Sequence, residues 1–93
     1  MKIKHEQLKQ LIEAAIFASD KPISIARLKK TVLLDFNLSK LAIKHVIDEL
    51  MIEYQSRGIN LLELGNGYRF QTQTSLSQWL GRLWEESAPK YSR

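Results

Sequence analysis

Between Ser39 and Gly58 the apolar residues Ile43, Val46, Ile47, Leu50, Met51 and Tyr54 recur every three or four positions. That spacing lays them along one face of a helix. Ser39 is a suitable N-cap, because its hydroxyl can accept a bond from a free backbone N–H of the first turn. Gly58 is the expected stop, since glycine takes a left-handed conformation after a helix without steric cost. The run INLLELGNGYRFQTQT that follows reads as two strands around Gly65-Asn66-Gly67, a hairpin signal.

The register of that hairpin depends on how many residues turn. A two-residue Asn66-Gly67 turn would set Glu63 opposite Phe70 and bury a carboxylate against an aromatic ring. A three-residue Gly65-Asn66-Gly67 loop pairs Leu64 with Tyr68 and Leu62 with Phe70, and sets Glu63 against Arg69 on the other face. The three-residue loop is therefore expected, with Leu62, Leu64, Tyr68 and Phe70 sharing the buried face.

Ahead of this unit, Leu8, Leu11, Ile12, Ala15 and Ile16 form the stripe of a first helix, from about His5 to Ser19. Phe17 falls on the opposite side, covered either by another element or by another molecule. Asp20-Lys21-Pro22 breaks the helix, because proline lacks the N–H and restricts its predecessor. Pro22-Ile23-Ser24 is a short extended piece able to add one or two ladder bonds beside the hairpin. Ser24 caps a second helix, Ile25 to Leu33 or Leu34, with Ile25, Leu28, Val32 and Leu33 turned inward. After the hairpin, Ser75 is the expected cap of a fourth helix from Leu76 to about Glu86. Its apolar arc of Leu76, Trp79, Leu80, Leu83 and Trp84 spans about 140°. Helix, short strand, helix, helix and hairpin is the order of an α+β winged helix-turn-helix, here with an additional C-terminal helix.

At 93 residues with 44% hydrophobic content, the chain fits one domain or a piece of a larger protein. The opening MKIKHEQ is too polar for a signal peptide, and no apolar run approaches membrane-spanning length. With no cysteine there is no disulfide, thiolate nucleophile or zinc-finger ligand set, which suits the cytoplasm. A soluble, cytoplasmic protein is expected. The formal charge of +4 invites a nucleic-acid reading, yet the stretch from Ser39 to Thr74 carries equal numbers of basic and acidic residues. The excess lies outside the segment that would enter a groove.

Candidate catalytic chemistry is sparse. His5 and His45 lie far apart in sequence, and His45 falls on the outer face of the third helix. Asp48-Glu49 and Glu85-Glu86 are adjacent pairs that point in different directions on a helix. Gly65-Asn66-Gly67 lacks the strand–loop–helix setting and the lysine of a phosphate-binding loop. Neither an enzyme nor a cofactor or metal site is expected. DNA reading in the major groove favours Arg, Lys, Asn or Gln on an exposed helix face. Here that face offers Leu41, His45, Asp48 and Ile52, with Lys44 at its border. Weak non-specific binding through Lys2, Lys4, Lys9, Arg27, Lys29 and Lys30 is the most that these residues support.

LIEAAIFASDKPIS (Leu11 to Ser24), VIDELMIEYQSRGINLLEL, NGYRFQT (Asn66 to Thr72) and the tail WLGRLWEESAPKYSR together resemble the amino-terminal domain of segregation and condensation protein B, ScpB. The likeness covers nearly the whole chain from Gln7, with Lys29 to Leu41 the least informative part. The resemblance implies a winged-helix domain followed by a second one. It also implies a homodimer that associates with a kleisin, ScpA, and through it with the SMC ATPase of a bacterial condensin-like complex. That complex is nucleoid-associated and acts in chromosome condensation and segregation. Since the family continues into a second winged helix, residues 1–86 are expected to be the domain and 87–93 the start of a linker. The alternative is a winged-helix transcription regulator that binds DNA itself.

Several large apolar residues fall outside the seams that one small core needs. Phe17, Leu41, Ile52, Leu61, Trp79 and Trp84 are therefore the candidate protein-interface residues. Leu61 is included because the three-residue loop puts it on the face with Glu63 and Arg69.

Overall fold

The computed structural model describes residues 1–87. It contains helices α1 (His5–Ala18), α2 (Ile25–Lys30) and α3 (Lys40–Glu53), strands β1 (Ile59–Leu64) and β2 (Gly67–Thr72), a 3₁₀ turn (Thr74–Leu76) and helix α4 (Ser77–Ser87). The strands form an antiparallel hairpin, and Ile23 adds one antiparallel bridge to Tyr68 through two 2.9 Å backbone bonds. This is the winged helix-turn-helix expected from the element order. Residues 88–93 of the expected linker lie outside the described residues.

Local chemistry explains the helix starts. Ser24 and Ser39 each accept a backbone N–H three residues on, from Arg27 and from Ala42, at 3.1 Å. The apolar faces that follow converge on one core of Leu8, Ile12, Ile16, Leu28, Leu33, Ile43, Val46, Ile47 and Leu50, joined by Ile23, Leu61 and Tyr68. Each such side chain taken from water contributes about 1.5–3 kcal/mol before the entropy of ordering is set against it. Polar links then tie the rim of α1 to α3. His5 meets Glu49 at 2.7 Å, Lys9 pairs with Glu53, and the Tyr54 hydroxyl donates to Glu13.

Three boundaries differ from the sequence reading. Helix α2 stops at Lys30, because the Thr31 hydroxyl donates to the Arg27 carbonyl at 2.6 Å and the chain tightens into a turn. The Leu33 N–H closes that turn on the Leu28 carbonyl; Leu33 enters the core while Val32, expected inward, is exposed. Helix α3 ends at Glu53 without a left-handed glycine. Its Leu50 and Ile52 carbonyls are met by the backbone N–H groups of Tyr54 and Gln55, and the Asn60 side chain donates to the Tyr54 carbonyl at 2.8 Å. Ser75 does not cap α4: its hydroxyl donates to Gln73, and the helix begins at Ser77 after the 3₁₀ turn.

The hairpin register is the largest correction. Leu61 pairs with Phe70, Leu62 with Arg69, Glu63 with Tyr68 and Leu64 with Gly67, leaving a two-residue Gly65-Asn66 turn. Leu64 and Phe70 therefore lie on opposite faces, and Leu61, not Leu62, enters the core. Gly65 adopts φ +58° at the first turn position, where hairpins of type II′ place glycine. Gly67 serves a different need. A Cβ there would lie 2.8 Å from the Pro22 carbonyl carbon and 2.9 Å from the Ile23 backbone, so only glycine lets that segment pair with β2.

Candidate protein-interaction surfaces

Three exposed apolar surfaces stand out on this frame. The first is a groove between α1 and the hairpin. One part, a cleft of about 280 Å³, is walled by Glu13, Ala14, Phe17, Tyr54, Ile59 and Phe70. An adjoining cleft of about 230 Å³ shares Phe17, Ile59 and Phe70 and continues along β2 towards Thr72. The floor is rigid. Tyr54 and Phe70 meet with ring centroids 4.9 Å apart and tilted by 59°, and the Arg57 guanidinium lies 4.7 Å over the Tyr54 ring. The Glu13 carboxylate that accepts the Tyr54 hydroxyl, with some desolvation, raises the phenol pKa above its ordinary value. Tyr54 thus keeps its proton and holds α1 against the end of α3.

The second surface is the outer face of α3, where Leu41 is 79% and Ile52 69% exposed. His45 between them is exposed, and Lys44 bonds Asp48 at 2.9 Å. The third is α4, with Trp79 53% and Trp84 65% exposed. Phe17 is 73% exposed at the mouth of the groove. Leu61 departs from the candidate set: at 2% exposure it packs inside, because the shorter turn reverses the face on which every β1 side chain stands. The structure places Phe17 beside the groove but separates it from Leu41 and Ile52, which sit on another helix.

Ile59 and Ala14 are groove residues absent from the sequence-based candidates, and Tyr54 figured there only in the apolar face of the third helix. In the two-residue register Ile59 shares a face with Leu61 and Phe70, so the correct turn would have revealed it. Among the described residues no polar or charged side chain other than tyrosine is buried, and no group of three His, Asp or Glu is placed to hold a metal. No described helix is long and apolar enough to cross a membrane.

Three helices, a one-residue bridge and a hairpin, with exposed chemistry that is apolar and aromatic, define a winged-helix domain. The chain belongs to the family of the segregation and condensation complex subunit ScpB, whose model it matches over residues 10–93. It is 42% identical over 85 residues to a segregation and condensation protein B homolog of Coxiella burnetii, covering 91% of this chain and 41% of that protein. A crystal structure of a dimer of an ScpB N-terminal domain complexed with an ScpA peptide is similar, with 30% identity and a TM-score of 0.71. That likeness covers 84% of this chain and 95% of the other. ScpB of Mycobacterium tuberculosis, 18% identical, shares the fold with a TM-score of 0.83 over 100% of this chain and 57% of its own. The chain thus spans well under half the length of the Coxiella relative.

Proposed function

We propose that this chain is the amino-terminal winged-helix domain of an ScpB-type subunit, a non-enzymatic scaffold in a bacterial SMC–kleisin complex that condenses and segregates chromosomes. In this reading residues 1–86 dimerise and bind the kleisin ScpA, which connects them to the SMC ATPase. The segment 87–93 leads to a second winged helix, and the assembly works on the nucleoid in the cytoplasm. The observation that carries the proposal is the 30% identity to the ScpB N-terminal domain seen as a dimer with an ScpA peptide, across 95% of that domain.

The surface chemistry supports it. A DNA-reading α3 would present several free cationic or amide side chains, whereas here Leu41 and Ile52 occupy the outer face and Lys44 is engaged by Asp48, leaving Lys40 at the helix start as an exposed cation. Light scattering of the full-length protein mixed with its own organism's kleisin tests the proposal. A complex heavier than either component is expected, and unchanged masses at tens of micromolar would contradict it. In gel-shift titration, DNA should bind no more tightly than roughly 10⁻⁶ M at physiological salt and without sequence preference. A defined footprint at nanomolar protein would favour the regulator reading.

A further inference from the structure

The groove and α4 are complementary surfaces carried by the same chain. We infer that α4 of a second copy seats in the groove between α1 and the hairpin, and that a two-fold axis makes the exchange reciprocal. The inference rests on the dimer proposed above and specifies which surfaces build it.

Within α4, Trp79, Leu80 and Trp84 fall inside one arc of about 140°, the kind of apolar face by which an amphipathic helix anchors in a groove. The groove is lined mainly by Phe17, Tyr54, Ile59 and Phe70, and its two adjoining clefts run on along β2 towards Thr72. An elongated apolar groove of this kind suits a helix face better than a compact ligand. Among the described residues α4 packs chiefly against the 3₁₀ turn that leads into it, and none of its described side chains is buried. A helix of 11 residues is too short to persist alone in water, so its stripe needs a cover.

Position and area agree with a second copy as that cover. The Leu76 side chain lies 3.5 Å from where a Cβ on Gly58 would stand, next to Ile59 in the groove wall. The root of the helix and the groove therefore share one end of the molecule. A two-fold axis near that end carries each helix, about 16 Å long, across the groove of the other copy. The exposed aromatic and aliphatic side chains on the two surfaces offer on the order of 600 Å² per copy, which doubled by symmetry reaches the ~1,200 Å² lower bound of specific interfaces.

The test uses the full chain and the absence of native cysteine. Chains carrying Ala14→Cys in the groove wall and Gly81→Cys beside the Trp84 edge are mixed and oxidised. A disulfide-linked heterodimer at least tenfold more abundant than either variant's homodimer is expected. A monomeric disulfide in the chain carrying both cysteines would mean that α4 folds onto its own groove, and would overturn the exchange. Independently, Phe17→Ala and Trp84→Ala should each weaken dimerisation about tenfold or more in sedimentation, with helical content kept. Together they should weaken it by less than the product of the two, because they remove the same contact. Strictly multiplicative effects, or an unchanged dimer, would overturn the groove assignment while leaving the dimer intact. A parent that stays monomeric at hundreds of micromolar would instead remove the dimer reading itself.

Discussion

In the seam between α1 and α3, Leu8, Ile12, Ile16, Ile43, Ile47 and Leu50 are buried, and the His5–Glu49 hydrogen bond, the Lys9–Glu53 ion pair and the Tyr54–Glu13 hydrogen bond close its rim. In α4, by contrast, Trp79 and Trp84 remain half or more exposed and neighbouring elements cover little of the helix. Both regions show a clear helical period, so periodicity alone does not tell an internal seam from an external one. The seam's partners are present in the same fold, whereas the tryptophans of α4 stay at least half exposed. Changes in the first region should therefore be read in stability, and changes in the second in association.

The strongest break of this comparison is a cavity. Ile47→Ala removes a fully buried side chain and should destabilise the chain by about 2–5 kcal/mol in urea unfolding, whereas Trp84→Ala at monomer concentrations should stay within about 0.5 kcal/mol of the parent. Equal losses in both variants would dissolve the distinction. Next in size, Gly67→Ala must push the Pro22–Ile23 backbone away from β2, and a loss of about 1–3 kcal/mol is expected from such overpacking. Unchanged stability would mean that the Ile23 bridge contributes nothing to holding the wing.

The smallest effect concerns the rim of the seam. The hydrogen bond from His5 holds the Glu49 carboxyl below its ordinary range. A group whose pKa is lower in the folded state adds stability above its unfolded pKa of about 4.3, and that stability is lost as the pH falls through the folded value. Urea midpoints measured between pH 6 and pH 3 should therefore fall less steeply in His5→Ala than in the parent. Parallel pH profiles would show that the His5–Glu49 contact is not energetically coupled to folding.

The sequence made the helices legible and the hairpin only in part, and the reason is range. The α1 and α3 stripes and the Ser24 and Ser39 caps depend on neighbours within a turn or two, so local spacing reveals them. Gly65-Asn66-Gly67 permits more than one turn, and what chooses among them is the Pro22–Ile23 backbone lying against Gly67, a contact distant in sequence. Leu61 was misplaced with the register, and Ile59 went unnoticed for the same cause. The exposure of Phe17, Leu41, Ile52, Trp79 and Trp84 was readable because each lies off the apolar stripe of its helix or at the edge of an unusually broad one. Which of them meets a partner depends on a second molecule, and no pattern within one chain encodes that.

Amide hydrogen exchange at two protein concentrations tests the division of labour most directly. Protection across α3, from Ile43 to Leu50, should be the same at low and high concentration, because its cover is internal. Protection across α4, from Trp79 to Arg82, should be near zero in dilute chain and rise with concentration as a second copy covers it. Full protection of α4 at the lowest concentration, or none at the highest, would contradict the assignment of α4 as a surface completed between molecules.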